Sequence, residues 1–268
     1  MTDPNELLAV AVSIVRSAAD LARTLRAQGI GEVSTKSTPT DVVTAADRAV
    51  ERQVIEEIHK SRPDDAVLGE ETGQTGETVA PSAVRWILDP IDGTVNYLYG
   101  LPTYAVSLAA ETGGRVVAGV VHNPVDGTEW TATLGGGAWR GGRRLSGSRV
   151  TELGQALVGT GFGYDPARRA HQATVLATLL PRVRDIRRMG VASIDLCLAA
   201  EGALDAVYEK GLNPWDYAAG GLVAAEAGLL VTGLNGAPPG PEFVLAAPPA
   251  IHGLLHDELA ALDASGGP

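Results

Sequence analysis

Apolar residues recur at helical spacing near the start of the chain. Leu7, Leu8, Val12, Val15, Ala19 and Ala22 fall on one stripe, and Gly29 follows it. The pattern predicts an amphipathic helix over residues 4–28. The Ser/Thr-rich stretch Ser34 to Thr40 reads as a loop. Thr44-Ala-Ala-Asp47 then opens a second helix to about His59, with a Thr-x-x-Asp spacing like a capping box.

Short apolar runs come next. Ala66 to Leu68 leads into Gly69-Glu70-Glu71, and Val84 to Leu88 leads into Asp89-Pro-Ile-Asp-Gly-Thr94. Tyr104–Ala110 and Val116–His122 flank Thr112-Gly-Gly114 as a hairpin, and Glu129–Thr133 adds a strand. Strands in succession joined by short turns imply an antiparallel sheet. The second half alternates. Strands are expected at Ala156–Thr160, 184–187, Leu204–Tyr208, Leu229–Thr232 and Phe243–Ala246, and helices at 166–180, 192–201, Trp215–Ala227 and 248–263. That rhythm predicts a parallel or mixed α/β sheet. The glycine-rich stretch Gly135 to Gly147 separates the two, so an N-terminal α+β unit is expected over 1–147 and a C-terminal α/β unit over 148–268.

Composition narrows the function. The 268 residues suffice for one large domain or two small ones. Hydrophobic residues make up 45%, enough for a sizeable core, and aromatics only 4%, too few for a surface of stacked rings. A net charge of −11 argues against a nucleic acid partner, which needs a basic face. The basic run Arg182 to Arg188 reads as a solvated face, with a phosphate or subunit contact as the alternative. Cys197 is the one cysteine, so no internal disulfide is possible, and its apolar surroundings fit core packing and a cytoplasmic protein. Asp3 and Glu6 stand where a secretory signal wants positive charge, and Leu7–Val15 is too short to cross a bilayer. No membrane partner is expected.

Acidic residues carry the candidate chemistry: Asp41 with Asp47, Glu70-Glu71, Asp89 with Asp92, and Asp216. Each has a structural reading as a helix cap, a solvated turn or a turn dipeptide. Asp89 to Thr94 is harder to read that way. Asp-x-x-Asp sends two carboxylates from one short loop beyond a strand end, where α/β architectures place ligands. Two close carboxylates repel unless one protonates or a cation joins them. Mg²⁺ is the natural choice, being hard, oxygen-seeking and able to keep open positions for phosphate. Gly93 lets a phosphate approach the backbone, and Thr94 starts a helical turn whose N–H groups favour an anion.

These segments together resemble the inositol monophosphatase family. Trp86-Ile-Leu-Asp-Pro-Ile-Asp-Gly-Thr-Val-Asn96 matches its signature. Lys36-Ser-Thr-Pro-Thr-Asp-Val-Val-Thr-Ala-Ala-Asp47, Leu68-Gly-Glu-Glu71 and Asn213-Pro-Trp-Asp-Tyr-Ala-Ala-Gly220 match further segments in order and spacing. Met189–Cys197 and Leu204–Glu209 also fit, so the resemblance covers nearly the whole chain. Asn96–Pro102 is most like the bacterial members. Asp-Gly-Thr also ends the haloacid-dehalogenase motif. There, however, the aspartates are one residue apart and near the N-terminus, so no aspartyl-phosphate nucleophile is implied.

The resemblance implies a layered αβαβα sugar-phosphatase fold, with an antiparallel N-terminal sheet and a mixed C-terminal one. It implies a Mg²⁺-dependent phosphomonoesterase acting on myo-inositol monophosphate, with two or three Mg²⁺ ions, inhibition by Li⁺ and a homodimer. Glu70, Asp89 and the Ile91 carbonyl would hold one ion, and Asp89, Asp92 and Asp216 a second. Thr94 and Asp47, with Glu70, would activate the attacking water. Gly93 and Thr94 N–H groups would bind phosphate. Asp92, Ala192, Glu209 and Asp216 would contact the rest of the substrate, and Lys36 would approach the phosphate from its loop. Histidinol phosphate, fructose 1,6-bisphosphate and 3′-phosphoadenosine 5′-phosphate are the alternative substrates. A non-catalytic partner-binding homologue is the alternative in kind, and its mark would be a lost metal ligand.

Overall fold

The computed structural model describes residues 3–30, 33–36, 38, 42–76 and 83–267. Helix α1 (Pro4–Ala27) starts at Asp3, whose side chain accepts from Asn5 N, and its buried stripe runs from Leu7 to Ala22. The antiparallel pair β1 (Val33–Thr35) and β2 (Val42–Thr44) follows, so the first residues of the expected loop are strand. Asp41 lies outside the described residues. Helix α2 (Ala45–Ser61) opens with a capping box between Thr44 and Asp47.

The first sheet contains β3 (Ala66–Gly69), β4 (Gly73–Thr75) and β5 (Val84–Asp92). The short helix α3 (Thr94–Tyr99) interrupts it, and β6 (Ala105–Thr112), β7 (Arg115–His122), β8 (Glu129–Thr133), β9 (Gly137–Arg140) and β10 (Arg143–Arg144) complete it. Its order is β10-β9-β8-β7-β6-β5-β3-β4. One pair departs from the antiparallel expectation, because β3 and β5 run parallel. Strand β4 folds back on the outer side of β3, so the chain enters β5 in the direction of β3.

The second half holds β11 (Leu157–Thr160), α4 (Pro166–Leu179), β12 (Asp185–Arg187), α5 (Ala192–Glu201) and β13 (Ala206–Glu209). Then come α6 (Pro214–Glu226), β14 (Leu230–Thr232), β15 (Val244–Ala247) and α7 (Pro249–Ala261). The sheet order is β12-β11-β13-β15-β14, parallel among the first three and antiparallel after them.

Three apolar clusters hold five layers together. Val50 and Val54 of α2 join the α1 stripe against Trp86, Leu88 and Leu108 on one face of the first sheet. The opposite face, with Ile87, Ala105 and Ala109, packs on α5 and α6, which also cover Val207 and Ala246 of the second sheet. Val175, Leu179, Ile251 and Leu255 of α4 and α7 close the far side. The layering is therefore αβαβα. Gly119 marks a close approach of β7 to α6, and Gly220 one of α6 to α5 within the middle layer, since a Cβ on either would sit within 3.0 Å of the neighbouring element.

Strand β5 shows how sequence becomes site. Trp86 and Leu88 face α1 and α2, while Ile87 faces α5 and α6. Asp89 takes the next position on the α5/α6 face. In a regular strand Asp92, three residues on, would point the other way. The register instead shifts: Asp89 pairs with Ser107 and Asp92 with Ala105, so β5 spends one residue more than β6 between them. Such a bulge returns both carboxylates to one face. The expected loop beyond the strand end is thus a bulged continuation of the strand.

Candidate functional site

Asp89, Asp92 and Asp216 bring ligand oxygens within 4.8 Å of one another. They come from two elements far apart in sequence, β5 and the first turn of α6. Asp92 Oδ2 accepts from Ser193 N at 2.7 Å and Ser193 Oγ at 2.6 Å. The α5 N-cap residue Val191 makes no side-chain cap bond, so a carboxylate from β5 caps that helix. Asp216 accepts from Asn213 N at 2.6 Å inside its own helix start.

Thr94 begins α3 directly after the bulge. Its hydroxyl lies 3.2 Å from Asp47 Oδ1 and 3.1 Å from the Ile91 carbonyl oxygen. Asp47 is fully buried at the start of α2, and its other oxygen accepts from Thr44 N at 2.8 Å. The first turns of α2, α3, α5 and α6 therefore meet around one cleft. The positive ends of their dipoles favour negative charge there. Gly93 connects β5 to α3 with φ +88°, and a Cβ would stand 2.7 Å from Val191 Cγ2. Only glycine meets both demands without displacement.

Glu70 sits in the β3–β4 turn and lines the same cleft of about 600 Å³, as do Ile91, Gly93, Thr94, Ala192 and Glu209. Its Oε1 accepts from Lys36 Nζ at 2.7 Å, and Glu71 Oε1 takes the same ammonium at 2.5 Å. Glu209, at the end of β13, presses its carboxyl against Gly161, where a Cβ would lie 2.0–2.2 Å from it. The strand-end turn Gly159–Gly163 thus makes room for that acid.

The electrostatics are those of an uncompensated acid cluster. Burial first, then the charges of Glu70, Asp92 and Asp216, holds Asp89 well above the usual carboxylate range. Asp216 is raised by the same enclosure and by Asp92 and Glu70. Burial lifts Asp92 to about 6 despite the Ser193 donors, and Glu70 to about 7 despite Lys36. Glu209 stands at about 8, through burial and then Asp92, with Arg188 pulling the other way. None of the ion pairs among the described residues reaches Asp89, Asp92 or Asp216. An all-oxygen set of mutually repelling carboxylates, Asp89 and Asp92 buried and Asp216 half-buried, fits a hard divalent cation.

Apart from Asp41, which lies outside the described residues, each site residue named from the sequence lines this cleft or, as Asp47 and Glu71 do, bonds to a residue that lines it. The three-carboxylate group does not include Glu70, which Lys36 engages. Ser193 was missed, because a serine in an apolar run carries no signal until its helix is seen to start at Asp92. Of the arginine run, Arg182 pairs with Glu258, Arg187 with Asp185, and Arg184 donates to the Gln155 carbonyl. Arg188 lines the cleft and lies 6.0 Å over the Phe162 ring. No helix among the described residues is long and apolar enough to cross a membrane.

Comparison with known proteins supplies an independent view. The model of the inositol monophosphatase family matches residues 3–264. The chain is 46% identical to the inositol-1-monophosphatase of Mycobacterium leprae, over 99% of this chain and 96% of that protein. It is 37% identical to the Nus factor SuhB of Escherichia coli, over 86% of each. The crystal structure of the extragenic suppressor protein SuhB from Bartonella henselae superposes with a TM-score of 0.88 at 34% identity, covering 95% of this chain and 98% of that one.

Proposed function

The chain belongs to the inositol monophosphatase family, and on that premise we propose that it is a Mg²⁺-dependent phosphomonoesterase whose leading substrate is myo-inositol monophosphate. The observation that carries the reading is the convergence of Asp89, Asp92 and Asp216 beside the Thr94–Asp47 contact. Asp89, Asp92 and Asp216 would hold one Mg²⁺. Glu70, Asp89 and the Ile91 carbonyl would hold another once Lys36 yields Glu70. When bound, the ions supply positive charge that offsets the phosphate and makes water acidic enough to attack phosphorus at neutral pH.

The chain's own groups do the rest. Asp47, held by the Thr44 amide, accepts the Thr94 hydroxyl proton, which leaves the Thr94 oxygen free to accept a hydrogen bond from the attacking water. Glu70, which lines the same cleft, orients the attacking water and takes its proton. Backbone N–H groups at Gly93 and Thr94 face the phosphate, and the first turns of α5 and α6 add positive ends to the same cleft. Glu209 accepts from hydroxyls of the leaving polyol. Water attacks directly, with no covalent phosphoenzyme.

Phosphate release tests this reading, measured with and without Mg²⁺ on inositol 1-phosphate, histidinol phosphate, fructose 1,6-bisphosphate and 3′-phosphoadenosine 5′-phosphate. Mg²⁺-dependent release, fastest from inositol 1-phosphate, is the expected result. Faster release from another ester would keep the chemistry and move the substrate. No release from any of them would favour a partner-binding protein. Inhibition by millimolar Li⁺ at limiting Mg²⁺ is expected alongside.

A further inference from the structure

Glu51 has no part in the chemistry described so far, yet it is fully buried. It stands on α2 one turn after Asp47, so both carboxylates lie on one face of the helix. Asp47 reaches Thr94, whereas Glu51 reaches the β3–β4 turn. Glu51 Oε2 accepts from Glu71 N at 2.9 Å and Oε1 from Thr72 N at 2.8 Å. These two amides directly follow Glu70. The residue before it, Gly69, lies against the same carboxylate, where a Cβ would stand 2.6 to 2.8 Å from the carboxyl atoms. The backbone on both sides of Glu70 is thus shaped around one buried side chain.

A buried carboxylate is costly unless hydrogen bonds satisfy it. No ion pair involves Glu51 among the described residues, so two backbone N–H groups carry that load. The turn and the carboxylate therefore hold each other in place. We propose that Glu51 is a positioning residue that fixes the Glu70 turn relative to Thr94 through a single rigid helix face. This rests on the reading of Glu70 as a metal ligand. Groups that orient a ligand are commonly worth 10- to 100-fold in metal affinity.

Glu51→Gln tests it, because the amide keeps the volume but sets an NH₂ against one backbone N–H. Mg²⁺ binding is measured by calorimetry without substrate, and exchange of the Glu71 and Thr72 amides is followed by NMR. At least about tenfold weaker binding with faster exchange of those amides is expected while circular dichroism stays that of the parent. Binding within twofold of the parent and unchanged exchange would overturn the proposal. Gly69→Ala gives a second route that keeps the carboxylate and intrudes on it, and the same two readouts apply if Glu51→Gln fails to fold. A parent chain that binds no Mg²⁺ would contradict the metal reading and this role together. A parent that binds while both variants bind equally would overturn only the role of Glu51.

Discussion

Thr94 joins the two halves of the chemistry at the residue scale. Its hydroxyl is within reach of Asp47 and of the Ile91 carbonyl, and its amide begins α3. Thr94→Ala removes the hydroxyl and keeps the backbone. It should lower kcat by about 10²- to 10⁴-fold, the range for a lost proton-transfer partner, with KM nearly unchanged. Thr94→Ser should recover most of the loss, and steady-state kinetics on inositol 1-phosphate reads both. Single residues were the most legible level. Asp89, Asp92 and Thr94 drew attention by their spacing, whereas Asp216 read as a first-turn helix acid and gained its role from the family resemblance. Ser193 and Glu51 were not legible, because their partners lie 101 and 20 residues away and only the fold unites them. Lys36 was legible as a cation near the site, but its grip on both Glu70 and Glu71 was not.

The decisive feature at the scale of elements is the join of β5 to α3. The run Val84 to Leu88 is buried on both faces, so its sequence shows no alternation to count, and the register shift at Asp89–Asp92 leaves no mark in it. The strand was legible, but its extension through Asp92 was not. Pro90 and Gly93 made that stretch read as a loop. The start of α2 was read better, because Thr44-x-x-Asp47 announces itself by capping, whereas the Asn213–Asp216 box that opens α6 went unread. Gly93→Ala tests the join. A left-handed backbone costs a non-glycine residue about 1–2 kcal/mol, and the new Cβ must also displace Val191. Urea unfolding should report a loss of at least that size, and phosphate release should fall with it. A variant of parental stability would show that the turn adopts another conformation.

The whole molecule brings a strongly acidic chain together around an acidic cleft. The two kinds of sheet were legible from the change of rhythm near Gly135–Gly147, and the five layers from the family resemblance. The parallel pairing of β3 with β5 was not, since β4 is too short to be read from its residues. Glu70 at about 7, Asp92 at about 6 and Glu209 at about 8 all exceed their ordinary values of 4.5, 3.8 and 4.5. Each holds its proton more tightly folded than unfolded. Below the ordinary values both states are protonated and the contribution is fully present. It is lost as pH rises from about 4 through 8, where the unfolded chain has already released its protons. The chelator-treated protein should therefore melt lower at pH 8 than at pH 5. Mg²⁺ should raise the melting temperature more at pH 8, where the carboxylates are free to bind it. Equal Mg²⁺ shifts at both pH values would contradict that linkage. The most direct test of the central claim is phosphate release from inositol 1-phosphate as Mg²⁺ is titrated into metal-free protein, parent beside Asp89→Asn. A saturable Mg²⁺ dependence is expected in the parent. In a variant with the parent's circular dichroism, a loss of about 10³-fold or more is expected, because one preorganised electrostatic contact is already worth 10²- to 10³-fold. Turnover that ignores chelation, or an Asp89→Asn variant as active as the parent, would contradict the account.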